Sequence, residues 1–306
     1  MDLITKLFRL IVNPVELSSK LLKLTSKCWS DELYVKMKYR LRMGEKLNLT
    51  PPTTLSEKLN WLKLYYHNPR LHSLVDKYEV KGIVAETIGE EYVIPALGVW
   101  DNIESIDIDK LPDAFVLKCT HDSGSVEICS DKSKFDIDAA KKRLAKCLKH
   151  DYFWSGREWA YKGVKPRIIA EPFIPTLGHP DSVEYKLTVY NGKVRFVTVC
   201  TGIAHSSLKV RTNDHFTPEW ERLPFYAYYK PSGKDIKKPP FMDRLIELTE
   251  KLAEGLPQVR VDWYVIDGKM KFGEMTFYTW SGFLKFEPKE WDLKLGSWFT
   301  LPEKMA

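Results

Sequence analysis

The residues best suited to chemistry gather in the segment Val259-Arg-Val-Asp-Trp-Tyr-Val-Ile-Asp-Gly-Lys-Met-Lys-Phe-Gly-Glu-Met-Thr276. It reads as a β-hairpin. Alternation puts Val259, Val261, Trp263 and Val265 on one face and Arg260, Asp262 and Tyr264 on the other. Asp262 and Glu274 are then carboxylates on two strands of one hairpin. Two such groups can hold Mg²⁺, a hard ion that takes one or two carboxylates together with substrate phosphates. Without chemistry, the same pattern gives a solvated face carrying an Arg-Glu cross-strand pair.

A shared ion constrains the register, because directly paired residues of an antiparallel ladder point to the same face. A two-residue Asp267-Gly268 turn pairs Ile266 with Lys269 and, in a regular ladder, sends Asp262 and Glu274 to opposite faces. A three-residue loop, Ile266-Asp267-Gly268, with Gly268 left-handed, pairs Val265 with Lys269 and brings them together. The bulged loop is therefore expected, with Arg260 opposite Glu274 and Asp262 opposite Phe272. Neutralising either carboxylate is expected to abolish activity while the melting temperature holds or rises, as their mutual repulsion is relieved.

Two further segments have phosphate- and base-reading character. Phe115-Val-Leu-Lys-Cys-Thr-His-Asp-Ser-Gly-Ser-Val126 is a strand ending in Lys118 and a Gly-containing turn. Backbone N–H groups of such a turn bind anions and the ammonium adds a point charge; His121 caps the turn or assists with phosphate. In Ile168-Ile-Ala-Glu-Pro-Phe-Ile174, one carbonyl and one N–H two residues apart suffice to read adenine, and Pro172 is tolerated between them. Taken singly these are an ordinary reverse turn and a buried strand. Asp107-Ile-Asp109 and Asp136-Ile-Asp138 are metal-diphosphate candidates for a different class, a nucleotide-sugar glycosyltransferase. Each also has a local reading, as a polar connector and a helix start. The remaining histidines lack metal spacing and read as surface or loop residues.

The elements that must position these groups fall into three stretches: a mainly helical region over 1–100, an α+β unit over 101–174 and a second over 175–306. In the first, Thr54 and Glu57 have capping-box spacing ahead of Leu55, Leu59, Leu62 and Tyr66, and a second apolar run extends from Leu71 to near Gly89. In the second, strands at 114–118, 126–129 and 167–174 surround a helix started by Asp136 or Asp138. In the third, Asn191-Gly192 joins strands 184–190 and 194–201, and a helix over 242–254 leads into the hairpin.

Composition narrows the function. A chain of 306 residues with 44% apolar content has a genuine core, which excludes global disorder. Its net charge is +6, and the first fifty residues, with ten Lys or Arg against five Asp or Glu, supply +5 of it. The rest is almost neutral, which argues against nucleic-acid binding spread over the fold. The basic arm, with Leu3, Leu7, Phe8, Leu10 and Ile11 interleaved with Lys6 and Arg9, suits peripheral contact with an anionic membrane surface; packing as a helix on the body suits the same pattern. Five cysteines without CxxC or zinc spacing and no apolar run long enough to span a bilayer point to a cytoplasmic location.

The order of these features, a Lys strand with a small-residue loop, an apolar strand ending in Glu, Glu184-Tyr-Lys, then Arg-x-Asp and Glu-x-Thr, resembles the ATP-grasp enzymes over roughly residues 74 to 283. Leu55-Ser-Glu-Lys-Leu-Asn-Trp-Leu-Lys, Asp76-Lys-Tyr, His121-Asp-Ser-Gly-Ser, Gly156-Arg-Glu-Trp159, Lys165-Pro-Arg-Ile-Ile-Ala-Glu171 and Trp291-Asp-Leu-Lys-Leu-Gly-Ser-Trp298 look like the teichuronopeptide-biosynthesis (TupA-like) branch, found among bacterial capsule and surface-polysaccharide proteins. The resemblance implies an α+β ATP-grasp fold, two subdomains clamping ATP beside a mainly helical N-terminal region. It implies roles by position. Lys77 and Lys118 bind nucleotide phosphates under a loop of Ser123, Gly124 and Ser125; Glu171 and Phe173 supply the adenine hinge; Glu184 contacts ribose. Lys186 lies near the γ-phosphate and Arg260 stabilises the oxyanion. Asp262 and Glu274 carry Mg²⁺, with Thr276 where relatives usually have Asn. Arg211, Ser281 and Gly282 fall to the substrate. The implied activity is an ADP-forming carboxylate-amine ligase using ATP and Mg²⁺, with an amino acid and a uronic acid of a surface polysaccharide as one such pair.

Overall fold

The computed structural model describes residues 14–179, 182–203 and 210–305; the basic arm lies outside the described residues. Helix α1 spans Pro14–Leu24 and α2 Asp31–Met43. The latter starts at Ser30, whose hydroxyl accepts the Leu33 N–H, and stops at Gly44, left-handed at φ 85°. Helix α3 (Leu55–Tyr65) has the full capping box between Thr54 and Glu57. The apolar run beyond it is two helices, α4 (Arg70–Val75) and α5 (Glu79–Ile88). Asp76 makes the break: its carboxylate accepts the N–H groups of Tyr78 and Glu79, restarting the chain in a new direction.

A four-stranded antiparallel sheet follows, from β1 (Gly98–Trp100), β2 (Phe115–Cys119), β3 (Val126–Cys129) and β4 (Ile168–Pro172), in the order β1-β4-β2-β3. Phe115, Leu117 and Cys119 alternate into its core and leave Lys118 on the other face. Helix α6 (Ile137–Leu148) is N-capped by Asp136 and packs Leu144 into the same core. A short helix, α7 (Phe153–Gly156), lies between α6 and β4.

The second sheet contains β5 (Val183–Tyr190), β6 (Lys193–Thr201), β7 (Thr212–Phe216) and β8 (Arg222–Leu223). Next come β9 (Tyr226–Ala227), helix α8 (Met242–Leu252), β10 (Gln258–Ile266) and β11 (Lys269–Thr276). The chain closes with β12 (Phe286–Glu287), paired to β9, and helix α9 (Glu290–Ser297). The six-stranded order is β11-β10-β5-β6-β7-β8, with all pairs antiparallel. Leu187, Val261 and Trp263 from this sheet share one core with Leu245 and Leu248 of α8 and with Leu59, Leu71 and Val84 of α3 to α5. The N-terminal helices thereby fix the sheet that carries the hairpin.

The hairpin corrects the expected loop. Asp267 and Gly268 are both left-handed, at φ 50° and 74°, the conformation of a tight two-residue turn, and Ile266 pairs with Lys269. The expected pairing of Val265 with Lys269 does not occur, because Asp-Gly supplies both positive-φ residues that the tighter turn needs. The compensating bulge lies further along. The register shifts between Asp262 and Trp263, so that Trp263 opposes Phe272 and Asp262 opposes Glu274, with Gly273 the extra residue. Arg260 opposes Thr276 rather than Glu274. Glycine suits the bulge because a Cβ there would lie 3.0 Å from the Asp262 carbonyl oxygen and 3.0 Å from the Tyr264 ring.

Candidate functional site

The bulge aligns two rows of side chains across three strands. Lys186 of β5, Asp262 of β10 and Glu274 of β11 are successive direct partners, and Thr188, Arg260 and Thr276 form the adjacent row. Residues two apart on a strand share a face, so both rows point the same way. Arg260 grips Asp262 bidentately, Nε to Oδ1 at 2.6 Å and Nη2 to Oδ2 at 2.7 Å, and the same Nη2 reaches Glu274 at 3.3 Å and the Thr276 hydroxyl at 3.0 Å. Lys186 Nζ lies 2.5 Å from Asp262 Oδ2 and 2.8 Å from Glu184.

The electrostatics follow from burial and pairing. Burial alone would raise the Asp262 carboxyl, but Arg260 and Lys186 hold it below its ordinary value. Burial opposes the charge on Lys186, and Asp262 more than restores it, lifting that amine above the ordinary range; Asp262 does the same for Arg260. Asp262 is nearly inaccessible, whereas the Glu274 side chain is 51% exposed. One carboxylate is an ion-pair hub and the other reaches toward solvent.

The first sheet supplies a second set of cations. Lys118 and Lys81 hold the two oxygens of Glu171, at 2.5 and 2.6 Å. The Glu171 side chain is thus spent on lysines, and only its main chain is left for a hinge; Phe173 follows β4, half-buried. Lys77 donates to the carbonyls of Cys119 (3.0 Å) and Asp122. Burial lowers its pKa, with Asp122 opposing. Ser123 and Gly124 are exposed at the tip of the small loop, Gly124 at φ 99°. Ser125 turns inward, donating to Asp122 at 2.5 Å and accepting from the Cys119 N–H at 3.1 Å. Lys77, Asp122 and Glu274 line one narrow crevice between the loop and the hairpin.

Both rows open into a cavity of about 660 Å³ whose walls include Ser123, Glu184, Lys186, Arg260, Glu274 and Thr276. Arg211 and Ser281 line it too. Arg211 donates to the Ile203 carbonyl at 2.8 Å, and its buried Nε has no partner among the described residues. Gly282 instead packs on α3, where a Cβ would meet the Asn60 amide at 2.9 Å and Leu59 at 3.2 Å. Glu158 and His215 also line the cavity, and sequence reasoning singled out neither as a site residue. His215 is buried, stacked on Phe225 at 4.3 Å and bonded to Thr198 at 2.9 Å, which corrects its reading as a loop residue. Nothing in a lone histidine on an alternating strand marks it as buried, whereas Glu158 stands in the Gly156-Arg-Glu-Trp159 motif. The Asp-x-Asp segments are local: Asp107 accepts from the Asp109 N–H and pairs with Lys110, and Asp136 caps α6.

Asp262 and Glu274 are hard oxygen donors in direct cross-strand opposition, a donor pair that fits Mg²⁺ when phosphate oxygens complete its shell. No group of three or more His, Cys, Asp or Glu among the described residues converges to hold a metal without such help. Thr276 donates to Glu274 at 3.0 Å and accepts from Arg260, so its hydroxyl orients the pair.

A four-stranded sheet bearing a Lys strand and small loop, facing a larger sheet that carries a basic and acidic hairpin, defines the ATP-grasp fold. The chain belongs to the TupA-like ATP-grasp family, whose model matches residues 57–300. Similar solved structures are D-cycloserine synthetase DcsG (16% identity, 68% of this chain and 64% of that one, TM-score 0.41) and the D-alanine–D-alanine ligase of Bacillus anthracis complexed with ATP (16%, 72% and 55%, 0.38). Another is the ATP-grasp ligase PsnB complexed with a minimal precursor (11%, 73% and 60%, 0.40). The chain spans less than two thirds of the length of each of the three. No curated protein matches it. No helix among the described residues is long and apolar enough to cross a membrane.

Proposed function

We propose that this chain is an ADP-forming, ATP- and Mg²⁺-dependent carboxylate-amine ligase acting in surface-polysaccharide biosynthesis at the cytoplasmic side of the membrane. One observation carries the reading: Lys186, Arg260 and Glu274 share a face with the buried Asp262 and line the same cavity as Ser123. The Lys77 and Lys118 ammonium groups and the loop N–H groups of Ser123, Gly124 and Ser125 would hold the phosphates. The main chain at Glu171 and Phe173 would hold adenine, and Glu184 the ribose. Mg²⁺, held by Asp262 and Glu274 with the phosphates, would neutralise charge on the transferred phosphoryl group. Lys186 would stabilise the equatorial oxygens, and Arg260 the oxyanion formed when an amine attacks the acyl phosphate. Arg211 and Ser281 line the space left for the two substrates.

The reading is tested with ATP, Mg²⁺, a panel of amino and hexuronic acids, and hydroxylamine as a trapping nucleophile. Hydroxamate with release of ADP and phosphate is the expected result. AMP with pyrophosphate, or UDP from a sugar donor, would remove it.

A further inference from the structure

Three carboxylates line the cavity, Glu158, Glu184 and Glu274. Glu184 is paired with Lys186 and Glu274 with Arg260. Glu158 is only 6% exposed, and no Lys or Arg forms an ion pair with it among the described residues. Its nearest cations, Lys63 and Lys38, act on it without an ion pair, because Lys63 donates to Asn60 and Ser281 and Lys38 to Ser155, and a buried carboxylate with no direct cation partner is costly to keep. Its cost is offset when the cation arrives with the substrate.

The backbone is committed to presenting this group. Arg157, just before it, is left-handed at φ 56°. Its guanidinium is buried over the rings of Tyr34 (4.3 Å) and Trp154 (4.4 Å) and pairs with Asp31 at 2.6 Å. With Arg157 anchored in the body, the chain turns Glu158 to the cavity. Across from it Trp280 and Ser281 are also left-handed, at φ 51° and 55°, a conformation that non-glycine residues keep only where the surroundings enforce it. Lys63 enforces it, holding the Ser281 carbonyl at 2.5 Å and its hydroxyl at 3.2 Å. The two strained segments meet: a Cβ on Gly156 would lie 2.6 Å from Ser281 Oγ and 2.8 Å from Glu158 Oε1.

The surroundings tie Glu158 to the rest of the site. Tyr152 and Tyr161, in edge contact at 4.8 Å, both feel the charges of Glu158 and Glu274, and Tyr161 also that of Arg260. Glu158, the two tyrosines, Glu274 and Arg260 line the same cavity. Burial raises its pKa, while Lys63, the Ser281 hydroxyl and Lys38 lower it. Lys63 is itself brought down to about 7 by burial.

We infer that Glu158 is the amine site of the ligase: it binds the substrate's primary ammonium and accepts one of its protons before attack. The inference rests on the ligase reading. The freed nitrogen lone pair forms the C–N bond and the C–O bond to phosphate breaks, phosphate leaving with that electron pair. The second proton lost from nitrogen goes to the departing phosphate, and Glu158 returns its own to solvent. A hydroxyl acceptor would not need a buried anion, so the ligand class is a primary aliphatic ammonium, such as the α-amine of an amino acid.

The test uses the full chain saturated with a non-hydrolysable ATP analogue and titrated calorimetrically with each of the twenty amino acids. The wild type is expected to bind at least one, and Glu158→Gln to bind it at least fiftyfold more weakly, with analogue affinity within twofold of wild type. Glu158→Asp should recover part of the amine affinity. If Glu158→Gln fails to fold, Ser281→Ala, which frees the carboxylate to turn away, should weaken amine binding at least fivefold. Unchanged amine affinity in these variants, an equal loss of analogue affinity in Glu158→Gln, or a nucleotide-binding wild type that takes no amino acid would overturn the inference. Failure of the wild type to bind the analogue would instead remove the ligase reading beneath it.

Discussion

Asp262→Asn should destabilise the protein, the reverse of what repulsion between two carboxylates would give. In the structure the nearest charges to Asp262 are cations: Arg260 at 2.6 and 2.7 Å and Lys186 at 2.5 Å, all largely buried. Removing one partner of a buried ion pair costs about 3–5 kcal/mol, because the other charge is left without compensation. Here two cations lose it, while the asparagine carbonyl keeps one acceptor, so the lower end, about 3 kcal/mol, is expected. At roughly 2 °C per kcal/mol for a chain of this size, the midpoint falls by about 6 °C. The pH dependence carries the same sign. The folded pKa of Asp262 is depressed, so its stabilisation is present above the unfolded value near 3.9 and is lost as pH falls through the folded value; the variant should lack that acid limb. Glu274→Gln is the control. Its side chain is 51% exposed and its Arg260 contact is 3.3 Å, so stability should change by less than about 1 kcal/mol. Under the proposed ligand roles both variants lose turnover. Calorimetric melting at about pH 3 and pH 8, below and above the unfolded carboxylate value, beside ADP release at pH 8 reads both effects. Asp262→Asn melting at or above the wild-type temperature would refute the ion-pair reasoning.

Gly273→Val presses a branched side chain onto the Asp262 carbonyl and the Tyr264 ring, where even a Cβ would sit at 3.0 Å. It should cost about 1–3 kcal/mol and, by shifting Glu274 against Asp262, up to about a hundredfold in turnover. Deleting Gly273 leaves the Asp267-Gly268 turn in place and lets Glu274 oppose Asp262 in a regular ladder, so the deletion should retain more ADP release than the valine variant. Asp292 titrates with the opposite sign to Asp262: burial lifts its carboxyl from 3.8 to about 6, against the pull of Ser56. Its contribution is full below the unfolded value and is lost as pH rises through about 6, a change of roughly 3 kcal/mol. Asp292→Asn keeps an acceptor for the Ser56 N–H, now 2.9 Å away, and should melt higher than wild type at pH 8 but not at pH 4.

The parts of the fold that could be read from the chain are those whose cause is local. Thr54 and Glu57 cap α3, Asp136 caps α6, and Asn191-Gly192 turns β5 into β6 with φ 50° and 78°. Alternation located β2 and β10 to within a residue. Strands β1, β8, β9 and β12, of two or three residues each, are too short to carry a period. Strands β1 and β8 exist because the longer β4 and β7 offer them an edge, whereas β9 and β12 pair only with each other. The break at Asp76 was hidden because an apolar helical run looks continuous until its side-chain bonds to Tyr78 and Glu79 are known.

The site shows the same division in one place. The face shared by Asp262 and Glu274 follows from requiring that two carboxylates serve one ion, and the parity argument correctly demanded one extra residue in the hairpin. It put that residue in the loop, although Asp-Gly satisfies the tight turn without help and the isolated Gly273 inside an alternating strand is itself a bulge signal. With the bulge moved from loop to strand, Asp262 faces Glu274 on one side and Lys186 on the other. No spacing within the hairpin contains the second partner, which comes from 76 residues away. That partner changes the chemistry. With both Asp262 oxygens bonded to Arg260 and Lys186, any cation bound there must compete with two resident ones. Under the proposed roles, nucleotide phosphates would give Lys186 and Arg260 new anions, leaving Asp262 freer to hold Mg²⁺. Metal and nucleotide are therefore predicted to bind with positive coupling, each raising the other's affinity by the same factor. Titrating Mg²⁺ calorimetrically with and without the ATP analogue measures that factor. Equal Mg²⁺ affinity in both titrations would mean that the ion-pair hub does not open when nucleotide enters.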